Sequence, residues 1–409
     1  MRGQLRWANS QGRFVLGAVI ISTFFIGFGG GVIFPILPNL GKVLGISPFL
    51  VGLILSANRF SRLVANAPAG SLVDRMGTRK PFVIGMLIQG ISTGGYVIAM
   101  IAPLPEAWFM GARILWGIGS ALVFATAYTI ADDISDGGSR GSNMGLIRGG
   151  VLFGFPTGVV LGGLVSELAG NVVAFSIATG FAFLASLVAF LTVPETHVEG
   201  EPNQSVKPWD INTNRPAVTV GLVNFVVLFV YIGALFATLV LFLDQNQLSV
   251  FGFDAQGSSG LFMGLTVVAA GLSMYAGGYV SDHYQSRVPI LLLFLGVTSV
   301  GFMLFALSET VVLLAVACLC IGLGQGGTSG PLMALLGDLV LDDQMGRAVG
   351  TNNVFGDIGG GFGPIVTLPI IDTVGFWPVY LSCAILPLLA AMILLSGVKR
   401  ETGAFFPSV

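Results

Sequence analysis

The sequence predicts an all-α membrane protein in which twelve transmembrane helices form two pseudo-symmetric six-helix bundles. Three observations predict it. The first is composition: of 409 residues, 54% are hydrophobic and only 9% charged, with a mean hydropathy of +0.89. Soluble domains carry roughly a quarter charged residues. The second is a succession of twelve apolar segments, each long enough to cross a hydrocarbon core of about 30 Å. The third is a repeat between the two halves of the chain.

In order, the segments lie at 14–40, 49–73, 80–102, 107–131, 142–166, 171–193, 216–243, 255–281, 288–307, 309–336, 347–371 and 374–397. Arg2, Arg6 and Arg13 precede the first. That run exceeds the apolar core of a signal peptide, about 7–15 residues, and no small-residue cleavage site follows it, so it is expected to stay as a membrane helix. The ninth and tenth segments are separated by a short gap, and glycines interrupt the eleventh. Direction follows from the basic residues of the loops. With twelve spans, one side holds Arg2, Arg6, Arg13, Arg75, Arg79, Lys80, Arg140, Lys207, Arg215, Arg287, Arg347, Lys399 and Arg400, and the other holds Lys42 alone. Both termini are therefore expected in the cytoplasm and the chain in the plasma membrane. A miscount by one helix would collapse this asymmetry.

The longest polar stretch, Pro194 to Arg215, contains Glu195, Glu199, Glu201, Lys207 and Asp210. It divides the chain into an amino-terminal bundle (1–193), a cytoplasmic linker (194–215) and a carboxy-terminal bundle (216–409). The halves repeat. Gly70-Ser-Leu-Val-Asp74-Arg75 matches Gly278-Tyr-Val-Ser-Asp282-His283; Pro156 matches Pro364 at the same offset; Arg113-x-x-x-Gly117-x-Gly119 matches Cys318-x-x-x-Gly322-x-Gly324 at nearly that offset. Parallel six-helix repeats allow one bundle to rock against the other around a midplane site.

The loop Gly70-Ser-Leu-Val-Asp74-Arg75-Met-Gly77-Thr78-Arg79-Lys80 has a readable logic. Gly70 permits close helix approach, Gly77 permits a tight turn, and Asp74 sits among cations at the membrane surface. The loop resembles the one between the second and third helices of the major facilitator superfamily. The resemblance implies a conformational latch made by Gly70, Asp74, Arg75, Gly77 and Arg79, with Asp74 facing the positive end of the eleventh helix. By symmetry Asp282 would face the start of the fifth. Thr78 departs from the family's Arg or Lys, so the ion pair to an acid ending the fourth helix, Asp132 or Asp133, would pass to Arg79. Arg113-Ile-Leu-Trp-Gly117-Ile-Gly119 is similar to a second family motif, whose intramembrane Arg is implicated in proton or substrate handling. Gly150, Gly154, Gly158 and Gly162 follow at steps of four around Pro156, on one ridge where a helix can approach closely. They resemble the glycine-and-proline motif of the family's exporters. Phe155 stands where Gly normally precedes Pro, and the adjacent pair occurs instead as Gly363-Pro364. Val193-Pro194-Glu195-Thr196 also resembles a family loop. These resemblances imply a carrier working by alternating access, with export as the favoured direction and protons as the coupled ion.

An ionisable group at the bilayer centre costs about 2.5–3.5 kcal/mol on insertion scales, so each one needs a reason. Arg59 lies about 15 Å into the second span, Arg62 one turn further, and Asp357 at comparable depth in the eleventh. Arg113 and Arg148 each lie about 10 Å from a span end. In the family the second helix packs on the eleventh, which makes Asp357 the expected counter-ion of Arg59 or Arg62. It could act as a proton-titrating switch or as a fixed tether. Asn58, Asn66, Gln89, Tyr128, Asn224, Gln325, Asn352 and Asn353 are candidates to line a cavity, and interhelical hydrogen bonds explain each singly. Four arginines within spans against one clear carboxylate point to an anionic or polar solute. Other classes find little support. No His lies in a span and no paired carboxylates share a face, against an enzyme. No phosphate-binding Gly-rich loop occurs, against a nucleotide-driven pump. Cys318, Cys320 and Cys383 sit in apolar segments as small buried side chains, and His197 and His283 lie in separate loops, so no metal or cofactor is expected. The expected partners are the bilayer, a small solute and protons, with no nucleic acid, for a chain acting as a monomer.

Overall fold

A computed structural model describes residues 9–135, 140–196, 214–284, 287–341 and 344–407, with the backbone alone for 9–11 and 140–142. Arg2, Arg6, His197, Glu199, Glu201, Lys207 and Asp210 lie outside the described residues, as does the side chain of Arg140. The described residues are nearly all helical and contain no strand. The helices are α1 (Asn9–Gly31), α2 (Leu37–Leu44), α3 (Pro48–Met76), α4 (Arg79–Ala99), α5 (Pro105–Asp133), α6 (Arg140–Ala169) and α7 (Asn171–Thr192). Then follow α8 (Arg215–Leu228), a π-helical segment (Phe229–Phe236), α9 (Ala237–Gln245), α10 (Ala255–His283), α11 (Val288–Ala306), α12 (Val311–Leu339), α13 (Met345–Val374) and α14 (Phe376–Thr402).

Among the described residues, eleven helices are long and apolar enough to cross a membrane, with α8, the π segment and α9 counting as one. The twelfth is α3, whose 29 residues suffice in length and whose Arg59, Arg62, Asp74 and Arg75 lower its hydropathy. The first expected span, 14–40, is not one helix. It breaks after Gly31, runs as turns, and restarts as α2 at Leu37. Gly29, Gly30 and Gly31 weaken the helix there, Pro35 pushes Phe34 out of helical geometry, and Pro38 suits the first turn of α2. The seventh span carries an unexpected change of winding. Its π segment places Gly233 against the backbone of Gly363, and the Gly233 carbonyl accepts from Thr367 Oγ1 at 2.6 Å.

The chain groups into two compact units. Unit 1 comprises the described residues of 1–33 and 60–208, and unit 2 those of 34–59 and 209–409. The changeover at Arg59 and Phe60 falls within α3, so one continuous helix serves both. Unit 1 is held by the close packing of α1 on α6. A side chain at Gly154 or Gly158 would run into the carbonyl of Phe24 or Phe28, and one at Gly150 or Gly162 would meet Thr23 or Val32. Gly27 and Gly31 of α1 answer against Val151 and Phe155. Val19, Phe82, Val123, Ile130 and Ile147 fill the core beside this seam. Unit 2 repeats the device with α8 and the π segment on α13, where Gly359 meets Phe225 and Gly363 meets Gly233. Pro156 and Pro364 stand inside their helices beside these ridges.

Candidate functional site

Within unit 2, the first half of α3 runs along α13. Gly52 abuts the backbone of Pro364 and Ile365, leaving no room for a side chain. One turn on, buried Ser56 donates through Oγ to the carbonyl of Gly361. The next turn brings Arg59, whose Nη1 donates to Asp357 Oδ1 at 3.1 Å. Gly360 makes space for the guanidinium, which lies 3.0 Å from where a β-carbon would stand. The side chains of Arg59 and Asp357 are 19% and 11% exposed. Each lies about 17 Å along its helix, near the middle of a membrane crossing. Small residues thus bring the two backbones together, and the ion pair occupies the depth where single charges are most costly. On α8, Asn224 donates to the backbone carbonyl of Asn352 at 2.9 Å, an interhelical bond rather than a free cavity group.

Arg62 is half-buried on α3. Arg113 is 1% exposed in α5, with its guanidinium 5.8 Å from the centre of the Trp116 ring one turn away. Arg148 is exposed on α6.

The loop between α3 and α4 is built differently from expectation. Among the described residues, no atom lies within 4 Å of where a Gly70 side chain would begin. Asp74 and Arg75 are exposed at the end of α3. Gly77 takes φ +78, a left-handed conformation that suits glycine. The carboxylate of Glu195, from the segment after α7, lies in the space that a Gly77 side chain would occupy. It accepts from Thr78 N at 2.6 Å, Thr78 Oγ1 at 2.9 Å and Arg79 N at 3.2 Å, capping α4 at its positive end. Thr196 bonds Thr78 and donates to Asp133 at the end of α5. Arg79 donates from Nη2 to the carbonyl of Phe190 at 2.9 Å and lies over that ring. Asp132 is exposed. The signal for Glu195 was present in its segment Val193–Thr196, but nothing in the order of residues said where that acid would land.

In unit 2, the equivalent loop does use a cation. Arg287 donates to Asp282 Oδ1 at 2.5 Å, to Ser281 Oγ at 3.0 Å, and from Nε to Asp338 at the end of α12 at 3.0 Å. Burial works against its charge, but hydrogen bonds to Asp338 and Asp282 outweigh this and raise the guanidinium pKa above its ordinary value. Asp282 itself is 71% exposed. Lys42 of α2 approaches Asp244 of α9 at 3.4 Å, an exposed pair of the kind that adds little stability.

Against this geometry stand three kinds of similarity. A family model described as Major Facilitator Superfamily matches residues 19–364. Multidrug resistance protein 1 of Bacillus subtilis is 24% identical over 369 residues, covering 89% of this chain and 92% of its own. The multi-drug resistance efflux pump PmrA of Streptococcus pneumoniae is 26% identical over 375 residues, covering 88% and 90%. In fold, the chain is similar to a bacterial homologue of the human lysosomal transporter Spinster, with a TM-score of 0.79 at 15% identity, covering 97% of this chain and 98% of that one. It is also similar to the nucleoside transporter NupG, with a TM-score of 0.78 at 15% identity, covering 94% and 100%.

Proposed function

The chain belongs to the Major Facilitator Superfamily, and on that premise we propose that it expels a small organic solute in exchange for protons. Family and fold make it a multi-pass membrane transporter and not an enzyme. The observation that carries the finer reading is the Arg59–Asp357 pair at mid-helix. A carboxylate at that depth is stabilised by the guanidinium beside it and is costly once separated from it. Uptake of one proton neutralises Asp357, releases Arg59 and loosens the seam of Gly52 and Ser56 on α13. Asp357 therefore has two states that differ by a proton and by the grip of α3. The names of relatives, a multidrug resistance protein and an efflux pump, support export and an organic solute.

In this reading residues 1–193 and 216–409 are the bundles that alternate, with 194–215 as linker. Both termini face the cytoplasm, because thirteen basic residues lie on their side against Lys42. Gly70, Asp74, Arg75, Gly77, Arg79, Asp132 and Asp282 act as the latch. Arg62, Arg113 and Arg148 complete the coupling set around solute and proton. The glycine ridge from Gly150 to Gly162 and the Gly363-Pro364 step keep the helices close enough to move as bodies.

Transport in proteoliposomes tests the proposal. Asp357→Asn should abolish solute accumulation driven by a pH gradient while solute–solute exchange continues. Intact proton-driven accumulation in that variant would sink the switch and leave Asp357 a fixed tether. A second reading is a facilitator or uptake porter for an anionic or polar metabolite. It is favoured by the deep burial of Arg113, and as a facilitator it requires that an imposed pH gradient drive no accumulation in the wild type.

A further inference from the structure

Unit 1 carries a groove between α1 and α6. It holds about 420 Å³ and is lined by Ile20, Ile21, Phe24, Leu146, Gly149 and Phe153, among other wholly apolar neighbours. Ile21, Leu146 and Phe153 are exposed along it. Gly150 and Gly154 are glycines because α1 presses on them, but a β-carbon at Gly149 would have nothing within 4 Å, and the same holds at Gly17 of α1. Glycine is a poor residue for a helix interior, and helix packing does not account for it at either position. Both keep space open.

The groove also has a direction. Arg13, Gly17, Ile20 and Phe24 succeed one another at steps of four, three and four, which places them on one face of α1. Arg13 is exposed about 10 Å from Ile20 along the axis. The face of α1 that lines the trough at Ile20 and Phe24 thus continues through Gly17 to a cation at the end of the span.

We infer that this groove seats one acyl chain of an anionic phospholipid, with Arg13 taking its phosphate. The chain crosses a bilayer, so hydrocarbon is the apolar material beside α1 and α6. Arg13 supplies the charge complementarity that selects an anionic headgroup in the leaflet on the amino-terminal side. The inference does not depend on what is transported.

Native mass spectrometry of the full chain, with phosphatidylglycerol or phosphatidylcholine of equal chain length, tests it. The wild type should retain phosphatidylglycerol with about a fivefold preference, the discrimination expected of one basic group near the surface. Gly149→Leu should fill the trough, Gly17→Leu should block the same face of α1 between the trough and Arg13, and each should cut retention of both lipids by roughly tenfold, through loss of buried chain area. Neither substitution has a neighbour to strike, so thermal melting in detergent should not fall below the wild-type value. Arg13→Gln should retain both lipids equally. Wild-type retention in both leucine variants would overturn the seat. Absence of headgroup preference in the wild type would overturn the role of Arg13.

Discussion

Asp357 and Arg59 illustrate what one residue can be held to. Arg59→Gln removes the guanidinium that bonds a carboxylate only 11% exposed. Breaking one side of such a pair costs on the order of 3–5 kcal/mol. Arg59→Gln combined with Asp357→Asn should recover most of that loss, measured by denaturant unfolding in micelles. Equal losses in single and double variants would mean that the pair is not energetically coupled. Glu195→Ala is milder, because a helix cap contributes about 0.5–2 kcal/mol. It should appear first as faster hydrogen exchange at the amides of Thr78 and Arg79, which Glu195 now accepts from. The pair was legible because charges in an oily run demand partners and the family resemblance set the second helix, with Arg59 and Arg62, against the eleventh, with Asp357. The cap was not, since 117 residues separate Glu195 from Thr78 and only the folded chain brings them together.

At the level of helices, the spacing of glycines foretold a ridge on α6 but not which helix would meet it. That partner is α1, and the contact is backbone to backbone at Phe24 and Phe28. Gly154→Ala and Gly158→Ala should therefore lower folded yield and stability by about 1–3 kcal/mol, as overpacking does. Gly180→Ala in α7 meets open space and should raise stability by roughly 0.5–1 kcal/mol. Opposite signs in a thermal-melt series would support the contrast, and equal effects would refute it. The break in the first span follows from glycines and prolines that sequence reasoning passed over because hydropathy stays high across them. The π winding at Phe229–Phe236 has no local signature. It accompanies the meeting of Gly233 with Gly363, a tertiary event.

Across the whole molecule, oily length and repeated motifs were enough to foresee helices in two sets. What they could not foresee is that residues 34–59 pack with the carboxy-terminal residues. Chain order groups α2 and the start of α3 with the first half, whereas packing at Gly52, Ser56 and Arg59 groups them with α13. Fragments 1–193 and 216–409, expressed as separate chains in one cell, should co-purify through this seam. Expression of 216–409 alone should leave α13 uncovered along Asp357 and Gly361, and give a fragment that aggregates on extraction. Monodisperse recovery of that fragment, as stable as the co-expressed pair, would argue that the seam contributes nothing.

The notch at Gly77 ties together two places that no reading of neighbours would connect. Any larger residue there would need both a different turn and an empty berth, yet the berth is already taken by an acid from beyond α7. A descendant of this chain that gained a methyl group at 77 would have to move or lose the acid at 195, and with it the seal on the first turn of α4. The two positions should therefore drift as a couple, each setting which replacements the other can survive.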